Sequence, residues 1–193
     1  MIATSRAVEI LKKSTHVPEP QIRGMARRLI DEGFLPKSRG RRVAEMDIEQ
    51  FTLLLLAIHV TAPKKGACEI AQSYFDLEGY HPGSAPFETV GKHIAAALRA
   101  YMENSESAEA HSLWGSISVM IMLAHPYVTV TSLRGTGKTE YGRRSTDEKP
   151  QTYVEFPAGT FARIAQLWSA PSASEGEEDD EKTLVPCAPE CAP

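Results

Sequence analysis

The sequence predicts an α+β protein with a helical first half, a small antiparallel β-meander and a closing helix. Apolar residues recur at helical spacing from residue 7 to residue 101, which predicts packed amphipathic helices. After residue 113 the chain is rich in Ile, Val and Thr and alternates with period two, which predicts strands. Residues 171–193 are acidic, proline-rich and without periodicity, so we expect a disordered tail.

The composition of the 193 residues, 42% hydrophobic and 24% charged, is typical of a soluble globular protein. The longest apolar run, residues 53–58, is too short to span a membrane, and no secretion signal begins the sequence. We therefore expect a cytoplasmic location. The cysteines, Cys68, Cys187 and Cys191, form neither a disulfide framework nor a zinc-ligand pattern, which agrees with a reducing compartment.

Charge is distributed unevenly along the chain, although the net charge is only -4. Residues 1–42 contain ten Lys and Arg against four Asp and Glu, whereas residues 171–193 contain one Lys against seven acids. A local basic block is what contacts with nucleic-acid phosphates require. The first 42 residues are therefore the candidate region for binding DNA.

Two short helices are predicted in this basic block, over residues 5–13 and 20–32. Pro20 suits the first turn of the second helix, and Gly33 ends it. The predicted inward face of the second helix consists of Ile22, Met25, Ala26, Leu29 and Ile30. Its opposite face is cationic and carries Gly24, Arg27, Arg28 and Asp31, with Gln21 and Arg23 at the flanks. Gly24 is compatible with close approach of a ligand or with packing against the first helix.

A basic hairpin and a third helix follow. Residues 37–42 hold four positive charges around one glycine, which predicts an exposed hairpin tip. Asp47 and Gln50 have capping-box spacing at the start of a helix that is apolar nearly all round and that we expect at the centre of the domain or between subunits. This order predicts a winged helix-turn-helix domain over residues 1–62, whose second helix enters the DNA major groove.

The stretch from Ile10 to Phe51 resembles the MerR-like winged-helix superfamily. The resemblance rests on V-P-E-P-Q-I-R at the second helix, E-G-F-L-P at its exit, the basic wing and D-I-E-Q-F in the next helix. It covers about 55 of the 193 residues. It implies that Gln21, Arg23, Arg27 and Arg28 face the groove, and that Lys37, Arg39, Arg41 and Arg42 form the wing.

The sequence departs from the metal- and drug-sensing MerR regulators. Gly24 and Met25 stand where those proteins have an aromatic pair, and neither a dimerising coiled coil nor a metal-binding cysteine loop follows. The same winged domain also begins some phage terminase small subunits, which are DNA-packaging adaptors.

The rest of the chain is predicted in three parts: a helical hairpin over residues 63–109, strands with a closing helix over residues 110–170, and the tail. In the hairpin, Ala67, Ile70, Ala71, Tyr74 and Phe75 share one face. Two strands join near His125 and Pro126, and residues 152–156 form a further strand. The competing interpretation is a helix over residues 113–124, because its apolar residues also fit a period of 3.6.

No catalytic, metal or cofactor site is predicted. The string G-T-G-K-T at residues 135–139 lacks the first glycine of a phosphate-binding loop, and Ser132 occupies that position. We interpret it as a hairpin turn. The six histidines show no metal-ligand spacing, and no serine or cysteine lies in a nucleophile-elbow context.

We expect a double-stranded DNA-binding protein that is not an enzyme, and we interpret it as a sequence-specific transcriptional regulator of phage or prophage type. The alternative is a terminase small subunit that forms a ring. The expected partners are duplex DNA and further copies of the chain as a dimer or ring, and the acidic tail is a candidate binding segment for a protein partner. Membrane association is not expected.

Overall fold

The computed structural model describes residues 1–38, 43–61, 65–79, 88–103, 117–123, 125–132, 137–142 and 152–171. Its elements are β1 (Ile2–Ala3), α1 (Thr4–Ser14), α2 (Glu19–Asp31), β2 (Glu45–Met46), α3 (Ile48–Val60), α4 (Ala67–Phe75), α5 (Val90–Glu103), β3 (Ile117–Met122), β4 (Tyr127–Ser132), β5 (Lys138–Gly142), β6 (Tyr153–Phe156) and α6 (Ala158–Ser169). The predicted α+β class is confirmed. The predicted tail beyond residue 171 lies outside the described residues.

The helices of the N-terminal half follow the predicted pattern. Gly33 has a φ of 85° just after α2, and Leu29 at the end of α2 accepts hydrogen bonds from the backbone of Phe34 and Leu35. The predicted capping box is confirmed: the side chain of Asp47 accepts from the Gln50 amide at 2.8 Å, and the side chain of Gln50 accepts from the Asp47 amide at 3.0 Å.

Helix α3 lies at the centre of the helical half, as predicted. Every residue from 51 to 58 is buried, and the helix packs against α2, α4 and α5. A helix that is apolar on all sides is stable only where neighbours cover all of its faces. Helix α2 covers one of these faces of α3. The opposite face of α2 is open to solvent.

One residue of the predicted α4 face is placed wrongly by the sequence pattern. Ile70 is 38% exposed, whereas Ala67, Cys68, Ala71 and Tyr74 are buried. The buried face of α4, which packs against α3 and α5, therefore includes Cys68 and not Ile70. Helix α5 buries Val90, Ile94, Ala97, Leu98 and Tyr101.

The sheet is antiparallel with strand order β5, β4, β3, β6. The predicted meander holds for β3 to β5, but β6 returns to the far edge and pairs with β3. Strand β5 occupies Lys138–Gly142, where the sequence pattern predicted a turn at residues 135–139 and no strand. The alternative helix over residues 113–124 is wrong for residues 117–122, which form β3 with alternating burial.

Helix α6 joins the sheet to the N-terminal helices. It packs against α1, α5 and β3, and the rings of Phe51 and Trp168 meet edge to face with centroids 5.1 Å apart. The guanidinium of Arg6 in α1 donates to the carbonyls of Leu167 at 2.8 Å and Ala170 at 3.1 Å. One hydrophobic cluster therefore includes residues from α1 through α6. The predicted boundaries at residues 62, 109 and 170 stay predictions.

Among the helices that the structure describes, none combines the length and the apolar character that a membrane crossing requires.

Candidate nucleic-acid interface

Helix α2 presents one face to the core and the other to solvent. Ile22, Met25 and Leu29 are fully buried against α1 and α3. On the opposite face the side chain of Arg23 is 62% exposed and that of Arg27 is 86% exposed. Because the spacing of the apolar residues fixes which side of the helix packs, the two arginines are held outward by the fold.

The exposed arginines have acidic neighbours, so the predicted face of free cations needs correction. Glu19 accepts from Arg23 at 2.7 Å and also from Lys12 of α1 at 2.7 Å. Arg27 lies 3.9 Å from Asp31. These hydrogen bonds from Lys12 and Arg23 lower the pKa of Glu19, which therefore remains ionised beside the two cations.

Such exposed ion pairs contribute little to stability, because water and salt screen both partners. A phosphate group can therefore replace the carboxylate without a large penalty. The spacing of four residues between Glu19 and Arg23, and between Arg27 and Asp31, is the sequence signal for these ion pairs, which were not among the predicted features. Lys12, which Glu19 connects to the α2 face, was not predicted as part of the site either.

Gln21 and Arg28 lie at the edges of this face. The side-chain amide of Gln21 donates to the Ile58 carbonyl at 3.2 Å and is half-buried, so it connects α2 to the end of α3. Arg28 is also half-buried. It lies on the side of α2 that faces α4, where its charge and that of Glu32 act on the thiol of Cys68. Burial raises the pKa of this thiol to about 12, so Cys68 is protonated.

Gly24 lies between the two exposed arginines in the interior of α2. Apart from the helix's own backbone and the two neighbouring residues, no heavy atom of the described residues lies within 4 Å of the position that a Cβ atom would occupy there. The possibility that this glycine serves packing against α1 is therefore not supported. The helix surface at Gly24 is open backbone.

The described base of the predicted wing follows directly on α2. Lys37 and Ser38 are exposed, and the Ser38 hydroxyl accepts from the Ala44 amide at 3.0 Å. Residues 38 and 44 are therefore close in space although they are six positions apart, as a hairpin requires. It then enters β2, which pairs with β1. Arg39, Arg41 and Arg42, predicted to carry the wing charges, lie outside the described residues.

Among the residues that the structure describes, the other candidate groups do not form a second site. Lys138 lies in strand β5, and its ammonium donates to Glu140 at 2.6 Å. Within the described ranges, no group of three or more His, Cys, Asp and Glu side chains is arranged to hold a metal ion.

Comparison of the chain with protein-family models, with curated proteins and with solved structures gives no match.

Proposed function

We propose that the chain binds double-stranded DNA through a winged helix-turn-helix formed by α1, α2, the segment after α2 and α3, and that it acts as a sequence-specific transcriptional regulator. The observation that carries this proposal is the outward face of α2, where Arg23, Gly24 and Arg27 lie on the side opposite the buried Ile22, Met25 and Leu29.

The dimensions of α2 suit the major groove of B-DNA. A helix of 13 residues is about 20 Å long, and its width with side chains is close to that of the groove. Arginine reads guanine through two parallel hydrogen bonds to O6 and N7. Arg23 and Arg27 are exposed enough to reach base edges or phosphates once a duplex displaces Glu19 and Asp31.

The wing supplies the second part of the interface. Lys37 precedes Arg39, Arg41 and Arg42 in sequence, and the hydrogen bond between Ala44 and Ser38 joins the two ends of this segment. Phosphate contacts by such residues orient a protein on the duplex and supply most of the salt-dependent affinity. In this proposal α2 reads sequence and the wing holds the backbone.

The proposal is tested by duplex binding as a function of salt concentration. Arg27→Ala should weaken binding about fivefold and reduce the slope of log K against log salt by about 1, if Arg27 contacts one phosphate. Glu19→Gln should strengthen binding, because it removes a negative charge beside Lys12 and Arg23. The two variants thus move the affinity in opposite directions.

Arg163→Ala is the matched control, because Arg163 is an exposed arginine on α6. It changes the net charge by the same amount as Arg27→Ala but should leave the affinity unchanged. Equal effects of Arg27→Ala and Arg163→Ala would show that only net charge matters and would overturn the assignment of α2.

A further inference from the structure

Gly24 is a glycine that the described fold does not require. It lies in the interior of α2, where glycine destabilises a helix relative to alanine. Its φ is not positive, since the positive φ values among the described glycines belong to Gly33, Gly66 and Gly142. A Cβ atom at Gly24 would meet open space. Neither backbone conformation nor packing therefore explains why this position has no side chain.

At two other described positions, packing or backbone conformation requires a glycine. At Gly91 a Cβ atom would lie 2.3 Å from the ring of Phe75, and at Gly142 it would lie 2.3 Å from the Pro126 carbonyl. Gly142 also has a φ of 77°. Gly24 has neither feature, and it differs from the other glycines with open surroundings because it lies between two exposed arginines on the outward face of α2.

The surroundings of Gly24 suit a duplex, because they are cationic. Arg23 is its neighbour in sequence, and Arg27 and Arg28 lie three and four residues further, which places them beside it on the helix surface. A duplex held by Arg23 and Arg27 would lie over the gap between them. Without a Cβ atom, the helix axis can approach the base edges more closely at Gly24 than at its neighbours.

The gap at Gly24 suits an apolar group. In the interior of a helix the backbone N–H and C=O groups are already bonded along the helix, so Gly24 offers no free donor or acceptor. The apolar group that base pairs present in the major groove is the C5 methyl of thymine.

We propose that Gly24 is the point of closest approach between α2 and the duplex, and that it reads a thymine by admitting its methyl group. This inference rests on the proposed function, because it assumes that α2 enters the major groove.

The test uses the full chain and a duplex of about 20 base pairs that the wild-type protein selects from a random pool. Gly24→Ala should raise the melting temperature by about 2 °C, because alanine favours the helix, and should weaken binding to the selected duplex about tenfold. Binding to a random duplex should change much less. Gly159→Ala in α6, where a Cβ atom would also meet open space, is the matched control and should leave the affinity unchanged.

A second set of duplexes is used, and in each of them one thymine of the selected site is replaced by uracil. This replacement removes only the methyl group. At the contacted position this change should weaken wild-type binding about fourfold, the value expected for burying one methyl-sized group. For Gly24→Ala the same change should restore part of the lost affinity, because it removes the clash.

The outcomes separate the inference from the proposed function. If the wild-type protein selects no duplex, the proposed function fails. If it selects one and Gly24→Ala binds that duplex equally well, the inference fails while the function stands. A lower melting temperature for Gly24→Ala would show that the fold requires the glycine, and a uracil scan without effect would reject the methyl contact.

Discussion

Arg23 and Arg27 of α2 are charged groups held beside acids rather than isolated cations. Glu19 bonds Lys12 and Arg23 at the same time, and so connects the end of α1 to the outward face of α2. In a complex with DNA, the acid would either give way to a phosphate or accept a hydrogen bond from a cytosine amino group. An acid at this position therefore lowers the affinity for any duplex while it favours some sequences over others.

The candidate site could be predicted from the sequence only in part. The outward direction of Arg23 and Arg27 follows from the spacing of the buried residues, and their acidic partners lie four residues away in the same helix. The bond between Gln21 and the Ile58 carbonyl could not be predicted, because it joins positions 37 residues apart and depends on how α2 lies against α3.

Buried His93 makes the stability of the protein depend on pH. Its Nδ1 and the Tyr141 hydroxyl form a hydrogen bond of 2.8 Å, and burial lowers the pKa of His93 from 6.5 to about 4. Between these values the unfolded chain binds a proton that the folded chain does not, so stability falls as pH falls. We expect His93 to lower the free energy of unfolding by about 2 kcal/mol between pH 7.5 and pH 5.

Urea denaturation at the two pH values measures this effect. His93→Gln should show a clearly smaller pH dependence than the wild type, and exposed His16→Gln should keep the wild-type dependence. Burial also lowers the pKa of His59. His59 therefore adds a pH dependence of stability of the same sign in the wild type and in both variants. An identical pH dependence in His93→Gln and the wild type would contradict the account of His93.

At the scale of elements, the sequence predicted best what depends on local periodicity. Helices α1, α2 and α5 bury regular apolar stripes, and the capping residues Asp47 and Gln50 are three positions apart. Strand β5 was missed because Tyr141 is its one fully buried residue, so its sequence does not alternate. Strand β5 is stabilised by pairing with β4, and β6 is stabilised by pairing with β3. Such pairings cannot be recognised from the local sequence of one strand.

The contact between α4 and α5 depends on the missing side chain at Gly91. A Cβ atom there would lie 2.3 to 2.4 Å from three atoms of the Phe75 ring, including Cγ, which can move away only if the side chain changes its χ1 rotamer or the backbone of α4 shifts. We expect Gly91→Ala to destabilise the protein by about 2 kcal/mol or more. Thermal denaturation measures this loss, in contrast to the gain expected for Gly24→Ala.

A double-mutant cycle identifies the cause of the loss. With Phe75→Leu in the background, which removes the ring, Gly91→Ala should cost much less than it does alone. If the two changes add independently, the glycine does not serve this contact.

For the whole molecule, the structure shows that the proposed DNA-binding helices and the sheet share one core. Arg6 connects α1 to the end of α6, and Phe51 of α3 contacts Trp168. This union could not be predicted from the sequence, because it depends on contacts between residues more than 100 positions apart. A change in α6 can therefore alter the position of α1, which packs directly against the proposed groove-binding helix.

The central claim is that the outward face of α2 and the basic segment after it form one surface for a duplex. Its most direct test is the salt dependence of duplex affinity for the wild type and for the variant that combines Arg39→Ala, Arg41→Ala and Arg42→Ala. The wild type should give a linear plot of log K against log salt, and the triple variant should bind more weakly with a slope shallower by about 3. A triple variant with the affinity and slope of the wild type would contradict the claim.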